Sequence, residues 1–342
     1  MNIYTIFTGG TIGSRKNDNG IIKTNDIPYM LINMYLDIYG ADNGDIEFIT
    51  DEPYRILSEN LSAENILELI NTVNKAMQIS KTDGIIITHG TDTLQYTASL
   101  LGYVFADADI PIVLVSANYV PEDKRTNGLY NFKYAVDFIK MAQGKGVFVS
   151  YKNTGEMAYI HRATRLQNVV LLSDYVSSVM DSWYGRFDGD KYYKNPYYRT
   201  VSEDNSKMFD RFNVKLSDKS DEILRVIPYV GMTYPEINEK IKVILHESYH
   251  SGTIRISKEL EEFTAEAEKR NIPIFLTGLN SNEAEYETVE IYRSYGIIPL
   301  HESSVISQYC KLWLALSNNK DVSVVMSQSV GEDFIIWWIW KT

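Results

Sequence analysis

The sequence predicts an α/β fold: a larger N-terminal doubly wound parallel-sheet domain, followed by a smaller C-terminal α/β domain. Three observations predict it. Continuous apolar runs such as "DGIIITHG" and "IPIVLVSAN" are what strands covered on both faces look like. Amphipathic stretches of helical period stand between them. The alternation breaks once, at a long polar stretch, and then resumes.

In order, "NIYTIF" reads as a first strand ending in the turn "TGGTIGS". The helix "SAENILELINTVNKAMQ" follows, with Ser62 placed to accept from its orphan amides. "DGIIITHG" is the next strand, and "TLQYTASLLGYVFA" the next helix, with Asp92 before Thr93 as its expected cap. "IPIVLVSAN", the helix "NGLYNFKYAVDFIKMA" and the strand "GKGVFVSY" continue the pattern. From Tyr184 to Lys219 the chain is rich in Tyr, Asp, Asn and Gly without helical period, a long connection with room for a hairpin. The domains are therefore expected at 1–183 and 221–342, with 184–220 as the linker. In the second domain "EILRVIPYV", "KVILHESYHSGT", "IPIFLTGLN" and "IIPL" alternate with the predicted helices "TYPEINEKI", "SKELEEFTAEAEKRN", "ETVEIYRSYG" and "SVISQYCKLWLALS".

The apolar fraction of 44% and charged fraction of 23% are those of a globular protein. A net charge of −12 with no Lys/Arg-rich block argues against a nucleic-acid partner. The single cysteine, Cys310, excludes an intrachain disulfide framework and fits a reducing compartment. No apolar run reaches the roughly 20 residues of a membrane span, and the N-terminus lacks the features of a secretory signal. A cytoplasmic protein is expected. The apolar tail "FIIWWIW" is expected to be buried or packed at an interface.

In open parallel sheets ligands sit beyond the carboxyl ends of the strands. Three polar clusters fall there: Thr8–Ser14, Thr88–Thr93 and Ser116–Asn118. "GGTIG" lacks the Lys of a P-loop and does not match the dinucleotide fingerprint. The polar segment after it is a poor helix start, which suits a flap better than a phosphate cradle. A lone Gly-Gly-Thr would read as a tight turn. "HGTDT" alters that reading, because it sets a hydroxyl beside a carboxylate and makes Thr11 and Thr91 candidate nucleophiles with Asp92 nearby. His89 lies one step inside its strand and reads as structural.

"TGGTIGS" and "IIITHGTDTLQYTAS" resemble the two signature motifs of the bacterial-type L-asparaginase/glutaminase family. "ILSENLSAENI" is similar to its substrate-binding turn, in the version also seen in the D subunit of archaeal glutamyl-tRNA amidotransferase. "VLVSANYVPEDKRTNGLYNFKYA" and "MSQSVGED" resemble further family segments, and the likeness covers nearly the whole chain, most strongly residues 1–140.

The resemblance implies amide hydrolysis through an acyl-enzyme, with no cofactor and no metal. Thr11 matches the nucleophile, and Thr91 the second threonine, which polarises or protonates the amide. Asp92 matches the carboxylate that holds the substrate ammonium and a neighbouring basic residue. Ser58 matches the hydroxyl that binds the α-carboxylate, and Glu59 is placed to share the ammonium contact. The backbone of Gly10, Gly90 and Ala117 would line the pocket.

Three departures stand out. The family's flap Tyr matches Ile21, with Tyr29 nearby. The catalytic Lys falls in "HRATRLQN" at Arg165, with Arg162 and Lys152 as alternatives. "ESYHSGT" replaces a Gly/Asn-rich segment of the second domain.

The implied function is hydrolysis of free L-asparagine, with L-glutamine a poorer substrate, by a homodimer or homotetramer. A catalytically weak amino-acid-binding protein and an amidase component of a larger complex are the alternatives. A start directly at the first strand and the lack of a basic patch argue against the complex.

Overall fold

The computed structural model of the chain describes residues 1–16, 22–24, 28–40, 45–79, 81–279 and 288–336. The N-terminal part is laid down as β1 (Asn2–Phe7), the short antiparallel pair β2 (Ser14–Lys16) and β3 (Ile22–Thr24), α1 (Pro28–Tyr39), β4 (Glu47–Asp51), α2 (Ala63–Gln78), β5 (Thr82–Thr88), α3 (Leu94–Val104), β6 (Pro111–Val115), α4 (Gly128–Lys140), β7 (Gly146–Lys152) and β8 (Ala158–Arg162). A hairpin of β9 (Gly185–Asp188) and β10 (Lys191–Lys194) completes an eight-stranded sheet of order β10-β9-β8-β7-β6-β5-β1-β4. Strands β4, β1, β5, β6 and β7 are parallel, and β8, β9 and β10 are antiparallel. The chain runs from β1 outward to β4 and then crosses back to β5 on the other side of β1. That reversal opens a crevice at the carboxyl ends of β1 and β5.

The apolar runs have a simple cause. Successive side chains of a strand point to opposite faces, and both faces of this sheet are covered. Tyr4 and Ile6 of β1, Ile85 and Ile87 of β5, and Ile112 and Leu114 of β6 enter one core, beneath α2 and α3. Ile3 and Phe7, Ile86, and Val113 and Val115 enter the other, beneath α1 and α4. Each such Ile or Val, wholly buried, contributes roughly 1.5–3 kcal/mol. At the start of α2, Ser62 Oγ accepts from Asn65 N at 3.2 Å while Ser62 N donates to Asn65 Oδ1, the reciprocal cap that its position predicts.

The second domain is a four-stranded parallel sheet of β11 (Ile223–Val226), β12 (Val243–Glu247), β13 (Ile274–Thr277) and β14 (Ile297–Pro299). Helices α5 (Lys258–Lys269) and α6 (Thr288–Ser294) cover one face; α7 (Val305–Ser317) and α8 (Val322–Met326) lie on the other. Helix α7 is shared: Ile306, Cys310 and Leu314 pack into the first domain's core, and Leu312 into the second's.

The structure differs from the sequence reading in several places. The boundary expected at residue 184 falls inside the large sheet, because the hairpin 185–194 pairs with β8. The first core also recruits Phe209, Leu216, Val325 and Val330, so the C-terminal segment returns to the N-terminal domain. The predicted helix "TYPEINEKI" does not form; the segment crosses the second core without regular structure, through Tyr234, Ile237 and Ile241. Burial of Ile237 and Ile241, with Tyr234 packed on Phe263, holds the segment without helical hydrogen bonds. Phe334 packs against His301 with the rings tilted and Ile335 is buried, while the tryptophans of the tail lie outside the described residues. Among the described residues no helix is long and apolar enough to cross a membrane.

Candidate active site

Three loops meet at the crevice, following β1, β4 and β5. The β1 loop is tied to its neighbours by backbone: Ile56 N donates to Thr8 O and Gly10 N to Ile56 O, both at 3.1 Å. Thr8 Oγ1 donates to Thr88 O at 2.7 Å. Gly10 has φ 77°, and a Cβ there would lie 2.5 Å from both the Cα and the N of Gly90. A Cβ on Gly90 would in turn lie 2.4 Å from Ser58 Oγ. Gly10 and Gly90 are thus explained by contact: main chain passes main chain at Gly10, and the Ser58 side chain fills the space beside Gly90. Ser14 Oγ donates to Gly10 O at 2.6 Å and closes the turn that carries Thr11.

The structure brings Thr11, Thr91, Asp92, Ser58, Gly10, Gly90 and Glu59 to this crevice. Thr11 and Thr91 are half-buried. Ser58 Oγ donates to Asp92 Oδ2 at 3.3 Å, and Thr93 Oγ1 donates to Ser58 O at 2.9 Å, which locks the β4 loop to the β5 loop. Asp92 is exposed and does not cap α3: the N-cap is Thr93, whose side chain makes no capping bond to the helix. The carboxylate instead faces Ser58. Glu59 is exposed in the 3-10 turn Ser58–Asn60. Ala117 is buried at the end of β6, where its Cβ would lie 2.9 Å from a Cβ on Gly128. Among the described residues no cluster of His, Cys, Asp and Glu is arranged to hold a metal ion.

His89 is walled in. Its Nδ1 is 2.8 Å from Gly90 O and its Nε2 2.8 Å from Thr97 Oγ1, so Nδ1 carries the hydrogen and Nε2 accepts from the threonine. Burial pulls its pKa down to about 4. Both nitrogens are committed, and its role is to brace the strand end.

Arg165 is the correction. Its guanidinium does not meet Asp92. Its Nε donates to Glu332 O at 2.7 Å, and its Nη2 to Arg199 O at 2.8 Å and Phe334 O at 2.9 Å, with Tyr198 stacked 4.2 Å away. Burial lowers its pKa, yet an arginine keeps its proton in such surroundings. The alternatives lie elsewhere too. Arg162 pairs with Glu332 at 2.8 Å, and Lys152 Nζ donates to Glu156 O at 2.5 Å. Tyr29 OH accepts from Thr50 Oγ1 at 3.3 Å, against the edge strand β4. Ile21 lies outside the described residues. "ESYHSGT" borders a cavity of about 300 Å³ in the second domain, lined by Tyr229, Tyr234, His246 and Tyr249.

Two residues missed in the sequence belong to the site. Gln95 Nε2 donates to Asp92 O at 3.2 Å and to Asn168 Oδ1 at 3.3 Å. Gln95 sits in the first turn of α3, directly after "HGTDT", and that placement was a usable signal.

This arrangement offers two hydroxyls, a carboxylate and close-packed main chain at one mouth, and known proteins share its framework. Residues 2–178 match the family description "Asparaginase, N-terminal". The chain belongs to the asparaginase family. Among curated relatives, this asparaginase-family chain is 25% identical over 334 residues to the D component of the glutamyl-tRNA(Gln) amidotransferase of Pyrobaculum aerophilum, covering 93% of this chain and 76% of the relative. It is 34% identical over 155 residues to the glutaminase-asparaginase of Pseudomonas aeruginosa, covering 44% and 41%. Its fold matches the thermostable L-asparaginase of Thermococcus kodakarensis with a TM-score of 0.76 at 21% identity, over 98% of this chain and 100% of the other. L-asparaginase I of Vibrio cholerae matches with a TM-score of 0.76 at 18% identity, over 98% and 99%.

Proposed function

We propose that this asparaginase-family amidohydrolase cleaves the side-chain amide of L-asparagine, and more slowly of L-glutamine, releasing ammonia. The observation that supports the reading is the contact series Gly10–Gly90–Ser58, with Ser58 bonded to Asp92, between the loops that carry Thr11 and Thr91. Thr11 Oγ attacks the amide carbonyl to form an acyl-enzyme, and water releases the acid. Thr91 meets the leaving amide, Ser58 the α-carboxylate, and Asp92 with Glu59 the ammonium. Main-chain groups of Gly10, Gly90 and Ala117 border the pocket, where fixed donors would stabilise a developing oxyanion. The reading places the protein in the cytoplasm as a homodimer or homotetramer. One structural neighbour, from Campylobacter jejuni, is described as a probable cytoplasmic L-asparaginase and matches with a TM-score of 0.68.

Ammonia release from a panel of L-asparagine, L-glutamine, D-asparagine and simple amides tests the reading. Turnover confined to the L-amino-acid amides supports it. Tight asparagine binding without ammonia would replace it by an amino-acid-binding role. A second reading, an amidase component of a larger complex, draws on the full-length likeness to the D components of amidotransferases. Its mark would be activity that appears only when a partner is added.

A further inference from the structure

The cavity bordered by "ESYHSGT" takes no part in the reading above. Its walls come from the second domain alone, from β12 and the loops that follow β11 and β12. The first loop carries a turn in which Met232 N donates to Tyr229 O at 3.1 Å, with Gly231 at φ 83°. In the second loop Tyr249 N donates to Thr253 O at 2.8 Å and Gly252 N to Tyr249 O at 2.9 Å. The hydroxyl of Tyr292, a buried residue, donates to Ile254 O at 2.8 Å and accepts from Ile254 N at 2.9 Å. Both loops are therefore held from within. His246 is wholly buried in the same wall. Its Nδ1 is 2.6 Å from Glu247 O and its Nε2 3.0 Å from Tyr234 OH, so Nδ1 carries the hydrogen and Tyr234 donates to Nε2. Burial lowers its pKa and keeps the ring neutral.

The lining has a definite chemistry. Tyr229, Tyr234 and Tyr249 present rings, and Met232 and Ile254 add apolar surface. Arg255 is the one cationic side chain of the lining, and it is exposed. No Asp or Glu lines the cavity, although the chain carries 45 acidic residues against 33 Lys and Arg. Glu259, four residues beyond Arg255, is hydrogen-bonded to Ser257 at the start of α5. A volume of about 300 Å³ is the lower end for ligand pockets and suits one or two rings better than a nucleotide.

We propose that this cavity is a second ligand site, for a small planar aromatic carboxylate whose ring lies among Tyr229, Tyr234 and Tyr249 and whose carboxylate meets Arg255. Flat rings pack against flat rings in offset or edge-on contact, and a guanidinium fork matches a carboxylate. The proposal does not depend on the amidohydrolase reading.

The test is calorimetric titration of the full chain with indole-3-acetate, tryptophol, tryptamine and acetate. Wild type, Arg255→Gln, Tyr249→Leu and Lys258→Gln are compared, with thermal midpoints as a check on folding. Arg255 and Lys258 are both exposed, so their removal leaves the core untouched, and Lys258→Gln alters the net charge equally. Indole-3-acetate should bind with a Kd on the order of 1 mM or tighter. Tryptophol should bind more weakly, tryptamine more weakly still, and acetate not at all. Arg255→Gln should weaken indole-3-acetate about fivefold, the upper end for a solvent-facing ion pair, and leave tryptophol unchanged. Tyr249→Leu should weaken both by about 2- to 10-fold, the scale of one aromatic pair. Lys258→Gln should alter neither. The site is refuted if wild type binds none of the four, or if acetate or tryptamine binds as tightly as indole-3-acetate. It is equally refuted if Arg255→Gln weakens indole-3-acetate no more than Lys258→Gln does, or if a folded Tyr249→Leu binds both indoles like wild type. Should Tyr249→Leu fail to fold, the comparison of Arg255→Gln with Lys258→Gln decides.

Discussion

Two polar clusters of this chain lie at opposite ends of α3 and are built on opposite rules. At the C-terminal end, Arg165 and Arg162 are buried among carbonyls, Glu332 and aromatic rings. Behind them Lys311 pairs with Asp333 at 2.8 Å, both 1% exposed, and Tyr103 OH donates to the same carboxylate. Charge there is enclosed and matched. At the N-terminal end, Thr11 and Thr91 are half-buried hydroxyls, and Asp92 and Glu59 face solvent. The first cluster secures the returning C-terminal segment; the second leaves groups free to meet a substrate. Pairing distinguishes them better than residue type does, and only the type of Arg165 is visible in the sequence.

The largest effect expected is at Thr11. Its side chain makes no hydrogen bond among the described residues, so Thr11→Ala leaves no buried group unsatisfied. Turnover should fall at least 10³-fold, about 4 kcal/mol of barrier, with the unfolding midpoint in urea unchanged. Retention within tenfold would move the nucleophile to Thr91.

Arg165→Met should do the reverse. Three carbonyls lose their donor, at about 1–3 kcal/mol for each one left unsatisfied. Stability should drop by on the order of 3 kcal/mol or more in chemical unfolding, while kcat per folded molecule stays near wild type. A selective loss of kcat with stability intact would return Arg165 to the reaction.

Acid should strain the buried histidines next. Burial holds His89 at about 4 and His161 at about 3 in the folded chain, against 6.5 for a free imidazole. Below pH 6.5 the unfolded chain binds protons that the folded one refuses. Stability is therefore full above that pH and declines as pH falls toward 4, by roughly 3 kcal/mol for His89 alone. Urea unfolding at pH 7.5, 6.5 and 5.5 checks the sign, and His89→Gln should flatten the decline by one proton.

Much of this was legible because it follows from periodicity. Runs such as Ile85-Ile86-Ile87 specify a strand with a core on each side, and Ser62 with Asn65 specifies a helix start. The glycines and hydroxyls of the β1 and β5 loops were legible as a pair, since parallel neighbours bring their ends together. What the sequence hid depends on long-range partners. A hairpin was expected within 184–219, but its place in the large sheet was not: it closes an antiparallel edge and lacks apolar alternation, with Lys191, Tyr193 and Lys194 exposed. The segment 163–168 has no regular repeat, so nothing local says which of its polar residues turns inward. Only partners distant in sequence settle it: the carbonyls of Arg199, Glu332 and Phe334 enclose Arg165, and Gln95 meets Asn168.

The smallest effect, and the most selective, is expected at Asp92. Because Thr93 is the N-cap of α3 and Asp92 points to Ser58, Asp92→Asn should alter stability by no more than about 0.5 kcal/mol. The amide oxygen still accepts from Ser58 Oγ, so the β4 and β5 loops stay joined. What disappears is the negative charge that the proposed function assigns to a substrate ammonium. A charge-assisted hydrogen bond of this kind contributes about 1.5–3 kcal/mol, so KM for L-asparagine should rise about 10- to 100-fold. Succinamic acid, which carries the same amide and carboxylate but no α-amino group, has no ammonium to lose. Its kcat/KM should be nearly the same for wild type and Asp92→Asn. An equal loss on both substrates would mean that Asp92 acts on the reacting amide or on Ser58, and that the ammonium is held elsewhere, with Glu59 the first residue to examine.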